Sequence, residues 1–148
     1  MYPTAAKLIA ALCLAVAVYF ASEHVKSVFP PDMAFGIFSI LNAAIAFGCG
    51  WVVVGRRAGR GFAGGVGNGL TGAAAALFWV LVLHSGRLML SQALARRYDG
   101  PGEAVIAMVN QSIEWGTMAL AHPPTLGALL IGGALTGLAA EFAARNRR

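Results

Sequence analysis

Four long apolar stretches constrain this chain more than any other feature. They run from Leu8 to Phe20, Phe35 to Val54, Phe62 to Leu83 and Thr125 to Ala144, and charged or proline-marked breaks separate them. An α-helix rises about 1.5 Å per residue, so about 20 residues cross the hydrocarbon core of a bilayer. Of the 148 residues, 58% are hydrophobic and 11% are charged, whereas soluble domains carry roughly 25% charged residues. The sequence therefore predicts an integral membrane protein.

The predicted fold is all-α, a single domain over residues 1–148 built as a bundle of four transmembrane helices. The first stretch is short, but Ala5, Ala6 and Lys7 extend it, because a lysine near the end of a span can place its ammonium group at the membrane surface. The positive region before this stretch contains only Lys7. We therefore expect a retained first helix rather than a cleaved signal peptide.

An amphipathic insert outside the membrane is predicted at about residues 86–122, between the third and fourth spans. Residues 87–97 are expected to prolong the third helix, and Asp99-Gly100-Pro101 then breaks the chain because the residue before a proline resists helix. From Pro101 to Leu120, apolar residues recur at helical spacing and polar residues occupy the other side of the helix. We expect this extra helix to lie on the outer face of the membrane.

Basic residues indicate the orientation, because they remain preferentially on the cytoplasmic side in short loops. Two segments at the same end of the predicted bundle hold six arginines: Arg56, Arg57, Arg60, Arg145, Arg147 and Arg148. We therefore expect a multi-pass protein of the cell inner membrane with both termini in the cytoplasm. The net charge of +5 is then explained by topology and by attraction to anionic lipid headgroups, without a nucleic-acid partner.

Small and polar residues at four-residue spacing predict faces for helix packing. Residues so spaced share one helix face, where a missing side chain lets a neighbouring backbone approach closely. Polar residues inside a span must also find partners away from lipid, either in another helix or along a solute path. The predicted packing residues are Asn42 in the second span, Gly64, Gly65, Asn68, Gly69 and Gly72 in the third, and Gly133, Thr136 and Gly137 in the fourth.

Two cysteines are candidates for a thiol pair. Cys13 lies about 9 Å inward from Lys7, and Cys49 lies about 10 Å inward from Arg56, so adjacent helices can bring the two thiols together. The alternative is that both are small packing residues, because burial among apolar groups lowers thiol reactivity.

The remaining titratable residues do not form a recognisable reaction centre in the sequence. Glu141 is expected to pair with Arg145 at i,i+4 spacing near the end of the last span. His24, His84 and His122 fall near the outer face but lack the H-x₃-H or H-E-x-x-H spacing of metal sites. We predict no catalytic residues, no metal and no cofactor.

Several short motifs, in order along nearly the whole chain, resemble the TrgA family of small bacterial membrane proteins. They are Pro3-Thr4-Ala5-Ala6-Lys7-Leu8, Asn42-Ala43, Gly50-Trp51, Gly55-Arg56, Gly59-Arg60-Gly61, Asn68-Gly69-Leu70-Thr71-Gly72, Tyr98-Asp99-Gly100-Pro101, Glu103-Ala104 and Ile131-Gly132-Gly133 with Gly137 and Glu141. The resemblance implies association with tellurite resistance through a role in the membrane. It supplies no catalytic residues.

Three classes of function remain open from the sequence. The first is a non-catalytic integral membrane protein that assists tellurite resistance or serves as an accessory subunit of a larger membrane complex. The second is an oligomeric channel or transporter for a small solute, and the third is a thiol-dependent membrane oxidoreductase. The expected partners are the lipid bilayer and either further copies of the chain or other membrane subunits.

Overall fold

The computed structural model describes residues 4–27 and 38–146, and every regular element in these two ranges is a helix. We number the helices α1 (Thr4–Val25), α2 (Phe38–Arg57), α3 (Phe62–Leu94), α4 (Pro101–Ala121) and α5 (Pro123–Arg145). Helices α1, α2, α3 and α5 are each long and apolar enough to cross a membrane. The predicted all-α bundle of four transmembrane helices is therefore confirmed. The predicted start of the second span at Phe35, and Arg147 and Arg148, lie outside the described residues.

Helix α5 lies at the centre of the packing, against α1 on one side and α3 on the other, and α1 also packs against α2. The core between them consists mainly of alanine with a few larger residues such as Leu14, Val54 and Leu129. Small side chains allow short distances between helix axes. At Gly132, for example, an added Cβ would lie 2.4 Å from the Cβ of Ala17, so α1 and α5 pack almost backbone to backbone.

Helix α2 contains one wide turn, a π-helical segment at Gly50–Val54. The backbone N–H of Gly55 donates to the carbonyl of Gly50, the i→i+5 bond that defines such a turn. In a regular α-helix, five residues would place these glycines about 140° apart around the axis. The wider turn instead lets both face α1. A Cβ added at Gly50 would lie 2.6 Å from the carbonyl oxygen of Ala10, and one added at Gly55 would lie 2.6 Å from the Cα of Lys7.

Helix α3 is longer than a bilayer requires and forms a hairpin with α4. Its 33 residues are about 50 Å long, whereas the hydrocarbon core is about 30 Å thick. Ser112 of α4 donates to Ser85 of α3 at 2.8 Å, and Gly116 lies beside Leu81. Helix α4 therefore runs antiparallel along the far end of α3, which differs from a helix lying alone on the membrane face.

The connection between α3 and α4 is short, and a side chain of α4 accepts a hydrogen bond from its backbone. Helix α3 ends at Leu94 rather than near Arg97, because Arg96 adopts a positive φ of 57°, the left-handed conformation that terminates many helices. The backbone N–H of Asp99 then donates to the carboxylate of Glu103 at 2.9 Å. An acid in the first turn of a helix is favourable because it satisfies a free N–H and opposes the helix dipole.

Candidate functional site

The buried carboxylate of Glu141 accepts four hydrogen bonds. Only 1% of this residue is exposed, and it lies on α5 opposite the turn that joins α2 to α3. Its Oε2 accepts hydrogen bonds from the backbone N–H groups of Gly59 at 2.7 Å and Arg60 at 3.2 Å, and its Oε1 accepts from Gly61 at 2.8 Å. Hydrogen bonds to a charged group contribute about 1.5–3 kcal/mol each. This carboxylate therefore fixes the turn onto the end of α5.

Two glycines make this turn possible. Gly59 has φ 101° and Gly61 has φ 105°, a region that other residues enter only with strain. Consecutive N–H groups in such a turn point to one side and form a concave site for an anion. In this protein the anion is supplied by the chain itself.

The expected ion pair between Glu141 and Arg145 is present but is only one part of this arrangement. Arg145 Nε lies 3.3 Å from Glu141 Oε1, and its guanidinium carbon is 4.3 Å from the centre of the Phe62 ring. The sequence predicted the helical pair and missed the three backbone donors. The pattern Gly59-Arg60-Gly61 was the available signal, because a residue between two glycines is typical of a turn with positive φ.

The predicted packing glycines occupy different surroundings. Gly65 and Gly69 of α3 face Gly133 and Gly137 of α5, and we call these four residues the glycine seam. A Cβ added at Gly69 would lie 1.8 Å from the carbonyl oxygen of Gly133, and one added at Gly137 would lie 1.8 Å from that of Gly65. No side chain fits at such distances.

The other members of the predicted packing set lie outside the seam. Gly72 faces Val54 of α2, whereas Gly64 is exposed. Thr136 is fully buried and donates to the carbonyl of Gly132 one turn earlier in α5. Asn68 donates to the carbonyl of Arg57 at 3.1 Å, so it helps to hold the turn between α2 and α3.

Asn42 lies in a separate network that joins α1, α2 and α3. Its Nδ2 donates to Ser22 Oγ at 2.9 Å, and Ser22 donates in turn to the carbonyl of Val18 at 2.7 Å. The Oδ1 of Asn42 lies 2.7 Å from His84 Nε2. Because Oδ1 can only accept, the proton of this bond belongs to His84 Nε2. Sequence reasoning expected a partner for Asn42 and did not identify Ser22 or His84.

Cysteines and histidines were the predicted candidates for thiol or metal chemistry. Cys13 and Cys49 are both free thiols, and Cys49 lines a groove between α2 and α3 together with Trp79 and Leu83. His24 bonds to the carbonyl of Phe20 in its own helix, and His122 bonds to Thr125. In the two described ranges, no group of three histidine, cysteine or acidic residues is arranged to hold a metal ion.

The polar interior of the bundle is a closed set of hydrogen bonds. Among residues 4–27 and 38–146, no buried side-chain nitrogen or oxygen lacks a hydrogen-bond partner. Asn42, Asn68 and Thr71 bond in three separate places, and Thr71 donates to Gly67 of its own helix. Asn42 is buried, whereas Asn68 is only partly buried and Thr71 is exposed, so the three polar side chains do not all face the interior of the bundle.

The sequence and the fold were compared with protein families, curated proteins and solved structures. No family model matches this chain, and no curated protein or solved structure matches it.

Proposed function

We propose that the protein is a non-catalytic integral membrane protein that contributes to tellurite resistance as an accessory subunit of a larger membrane complex. The connection to tellurite rests on the resemblance to the TrgA family. The accessory role rests on one observation, an uncovered apolar face on the hairpin of α3 and α4.

This face, which we call the hairpin face, combines residues from both helices. Each member is more than half exposed: Leu90, Leu94, Val105, Ile106, Val109 and Ile113. Ile106, Val109 and Ile113 recur at the three- and four-residue spacing of a helix seam that packs against another helix. On the neighbouring side of α4, Trp115, Gly116 and Ala119 are buried against the rest of the chain. One side of α4 therefore packs against the rest of the chain, and a second side is exposed.

A protein partner suits the hairpin face better than lipid does. If α3 begins at one membrane surface near Phe62, its far end extends about 20 Å past the hydrocarbon core. Leu90, Leu94 and Ile106 then lie above the acyl chains, where apolar side chains need a protein surface to exclude water. We propose an apolar helix of another membrane subunit as the occupant.

The interior supports a structural role. The polar side chains within the spans bond to one another or to backbone carbonyls, and α3 and α5 meet at the glycine seam without space for side chains. Such a bundle holds a fixed shape that can present the hairpin face. We further propose that the bundle lies in the cell inner membrane with the Arg56, Arg57 and Arg60 turn in the cytoplasm, on the basis of the positive-inside rule.

The test combines an assembly measurement with tellurite tolerance. Ile113→Lys places a charge on the hairpin face, and Gln111→Lys places the same charge on the other side of α4, about 160° away around the helix axis, as a control. We expect the native chain and the control to be extracted in mild detergent as a particle of fixed stoichiometry with other subunits and to restore tolerance in a deletion strain. The hairpin-face variant should be released from the particle and should fail to restore tolerance.

Two results would overturn this proposal. A particle made only of copies of this chain would replace the accessory subunit with a homo-oligomer. Full tolerance with the hairpin-face variant, at normal membrane levels of the protein, would show that docking through this face has no part in resistance.

A further inference from the structure

The charges of the described residues are distributed unequally between the two ends of the bundle. One end, which we call the arginine end, carries Lys7, Arg56, Arg57, Arg60 and Arg145 with a single carboxylate, Glu141. The opposite end balances four cations against four acids: Lys26, Arg87, Arg96 and Arg97 with Glu23, Asp99, Glu103 and Glu114. The excess positive charge therefore belongs to one end of the fold.

The cations of the arginine end are held close together by the packing of three helices. The Cα, Cβ and Cγ atoms of Lys7 lie against the backbone of Gly55, where an added Cβ would be 2.6–3.0 Å from all three. Gly55 directly precedes Arg56 and Arg57, so the lysine of α1 is next to the arginines of α2. Arg60 follows in the turn whose backbone N–H groups are fixed by Glu141.

Three of these arginines have no counter-charge among the described residues. Arg56, Arg57 and Arg60 are exposed, and in the described part of the chain none of them forms an ion pair. Glu141 does not neutralise them, because its carboxylate is buried and occupied by three backbone donors and Arg145. Cations fixed near one another are repulsive unless an anion binds between them.

An apolar groove begins one helical turn below these arginines. It has a volume of about 460 Å³ and lies between α2 and α3, with Gly48, Val52, Val53, Trp79 and Leu83 among its lining residues. Gly48, Val52 and Arg56 are all exposed and are each about one helical turn apart, four residues in a regular helix and up to five across the wide turn, so they lie along one side of α2. The same face of the helix is thus cationic at its end and apolar along the span.

We propose that this combination is a binding site for one anionic phospholipid. The phosphate is held by Arg56 and Arg57, with Arg60 and Lys7 beside them, and an acyl chain occupies the groove down to Trp79. Arginine suits this role because its guanidinium group bonds two phosphate oxygens at once. The groove distinguishes a lipid from free phosphate, because only a lipid carries hydrocarbon next to its phosphate.

Quenching of tryptophan fluorescence by lipids with brominated acyl chains tests the site on the full chain. The protein in neutral detergent is titrated with brominated phosphatidylglycerol and with brominated phosphatidylcholine. Trp79→Phe identifies the part of the quenching that comes from the groove. We expect Trp79 to be quenched at a lower mole fraction of phosphatidylglycerol than of phosphatidylcholine.

Three variants separate the two parts of the site. Arg56→Gln/Arg57→Gln should reduce the preference for phosphatidylglycerol by about 25-fold, since each cation near an anionic headgroup contributes about a five-fold effect. Arg96→Gln/Arg97→Gln removes the same charge at the opposite end and should leave the preference unchanged. Gly48→Leu should weaken quenching by both lipids, because Gly48 lines the groove and a Cβ added there meets no protein atom within 4 Å, so the larger side chain can extend into the space of the acyl chain.

The proposal is wrong if phosphatidylcholine quenches Trp79 as efficiently as phosphatidylglycerol does, or if the two arginine pairs have equal effects. Competition by inorganic phosphate or glycerophosphate at similar concentrations would assign the cations to a free phosphate group instead. Unchanged quenching in Gly48→Leu would show that the groove does not hold an acyl chain. Helical content by circular dichroism confirms that each variant is folded.

Discussion

The carboxylate of Glu141 and the backbone N–H of Gly59 form a 2.7 Å hydrogen bond between positions 82 residues apart in the chain. With the further donors of Arg60 and Gly61, this contact joins the last helix to the turn between the second and third. A single side chain thereby determines how one end of the bundle closes.

Replacing Glu141 with alanine should destabilise the protein more than replacing Arg145 with alanine. The substitution removes the acceptor for three backbone N–H groups in a partly buried turn. A fully buried unsatisfied donor costs about 1–3 kcal/mol, and each of these costs part of that amount because water reaches the turn. We expect a loss of at least about 2 kcal/mol in the free energy of unfolding, measured by denaturing-detergent titration. Glu141→Gln should lose less, because it retains one acceptor oxygen.

Arg145→Ala is the control for that experiment. Arg145 is half exposed and provides one of the four donors to Glu141, and exposed ion pairs contribute about 0–1 kcal/mol. Equal losses in Arg145→Ala and Glu141→Ala would show that the ion pair, rather than the backbone donors, stabilises this end.

The glycine seam should not tolerate even a methyl group. Gly69→Ala would place Cβ 1.8 Å from the carbonyl oxygen of Gly133, so α3 and α5 must separate. Overpacking of this kind costs about 1–3 kcal/mol. Gly67→Ala on the same helix meets nothing within 4 Å and should be neutral or stabilising by up to about 1 kcal/mol. Comparable thermal stability of the two variants would disprove the close contact.

The wide turn of α2 gives a second pair of matched glycines. Gly55→Ala would bring Cβ within 2.6 Å of the Cα of Lys7, whereas Gly48→Ala has open space around it. We expect Gly55→Ala to lower the midpoint of thermal unfolding and Gly48→Ala to leave it unchanged or raise it. If both glycines tolerate alanine equally, α1 does not approach α2 at this turn.

The bond between His84 and Asn42 should give a measurable coupling energy. Hydrogen bonds between transmembrane helices contribute about 0.6 kcal/mol on average. A double-mutant cycle of Asn42→Ala and His84→Ala, followed by unfolding in denaturing detergent, should therefore yield a favourable coupling of about that size. A parallel cycle with Thr71→Ala and His84→Ala should yield none, because Thr71 bonds within its own helix. Additive effects in the first cycle would mean that the two side chains do not interact.

Reporter fusions test the proposed orientation. A fusion ending after Asn146 should be active only as a cytoplasmic reporter, and one ending after Arg97 only as an external reporter, because three spans separate the N-terminus from the hairpin. The opposite pattern would invert the bundle. If both fusions were active on the same side, one of the four predicted spans would not cross the membrane.

Much of the secondary structure could be predicted from the sequence because it depends on local properties. Span length and the need to satisfy every backbone hydrogen bond in lipid predict helices at the four apolar stretches. The proline at position 101 predicts where α4 begins. The position of α4 was not predictable in the same way: its apolar residues indicate an amphipathic helix, but they do not distinguish packing along α3 from lying on a membrane.

The candidate sites depended on the tertiary structure to a greater degree. Four-residue spacing identified Gly65, Gly69, Gly133 and Gly137 as candidates for close approach, but the same reasoning included Gly64, which is exposed. Glu141 was interpreted from its neighbour in sequence, Arg145, because its other three partners lie about 80 residues away.

The sequence by itself determined that this is a four-span helical membrane protein, because hydrophobic length and backbone hydrogen bonding act on each segment separately. The tertiary structure alone decided which glycine meets which carbonyl, which turn Glu141 holds and which polar side chains face one another. Those contacts depend on the order and rotation of helices around one another. No segment contains that information alone, because each contact requires two surfaces that are distant in the chain.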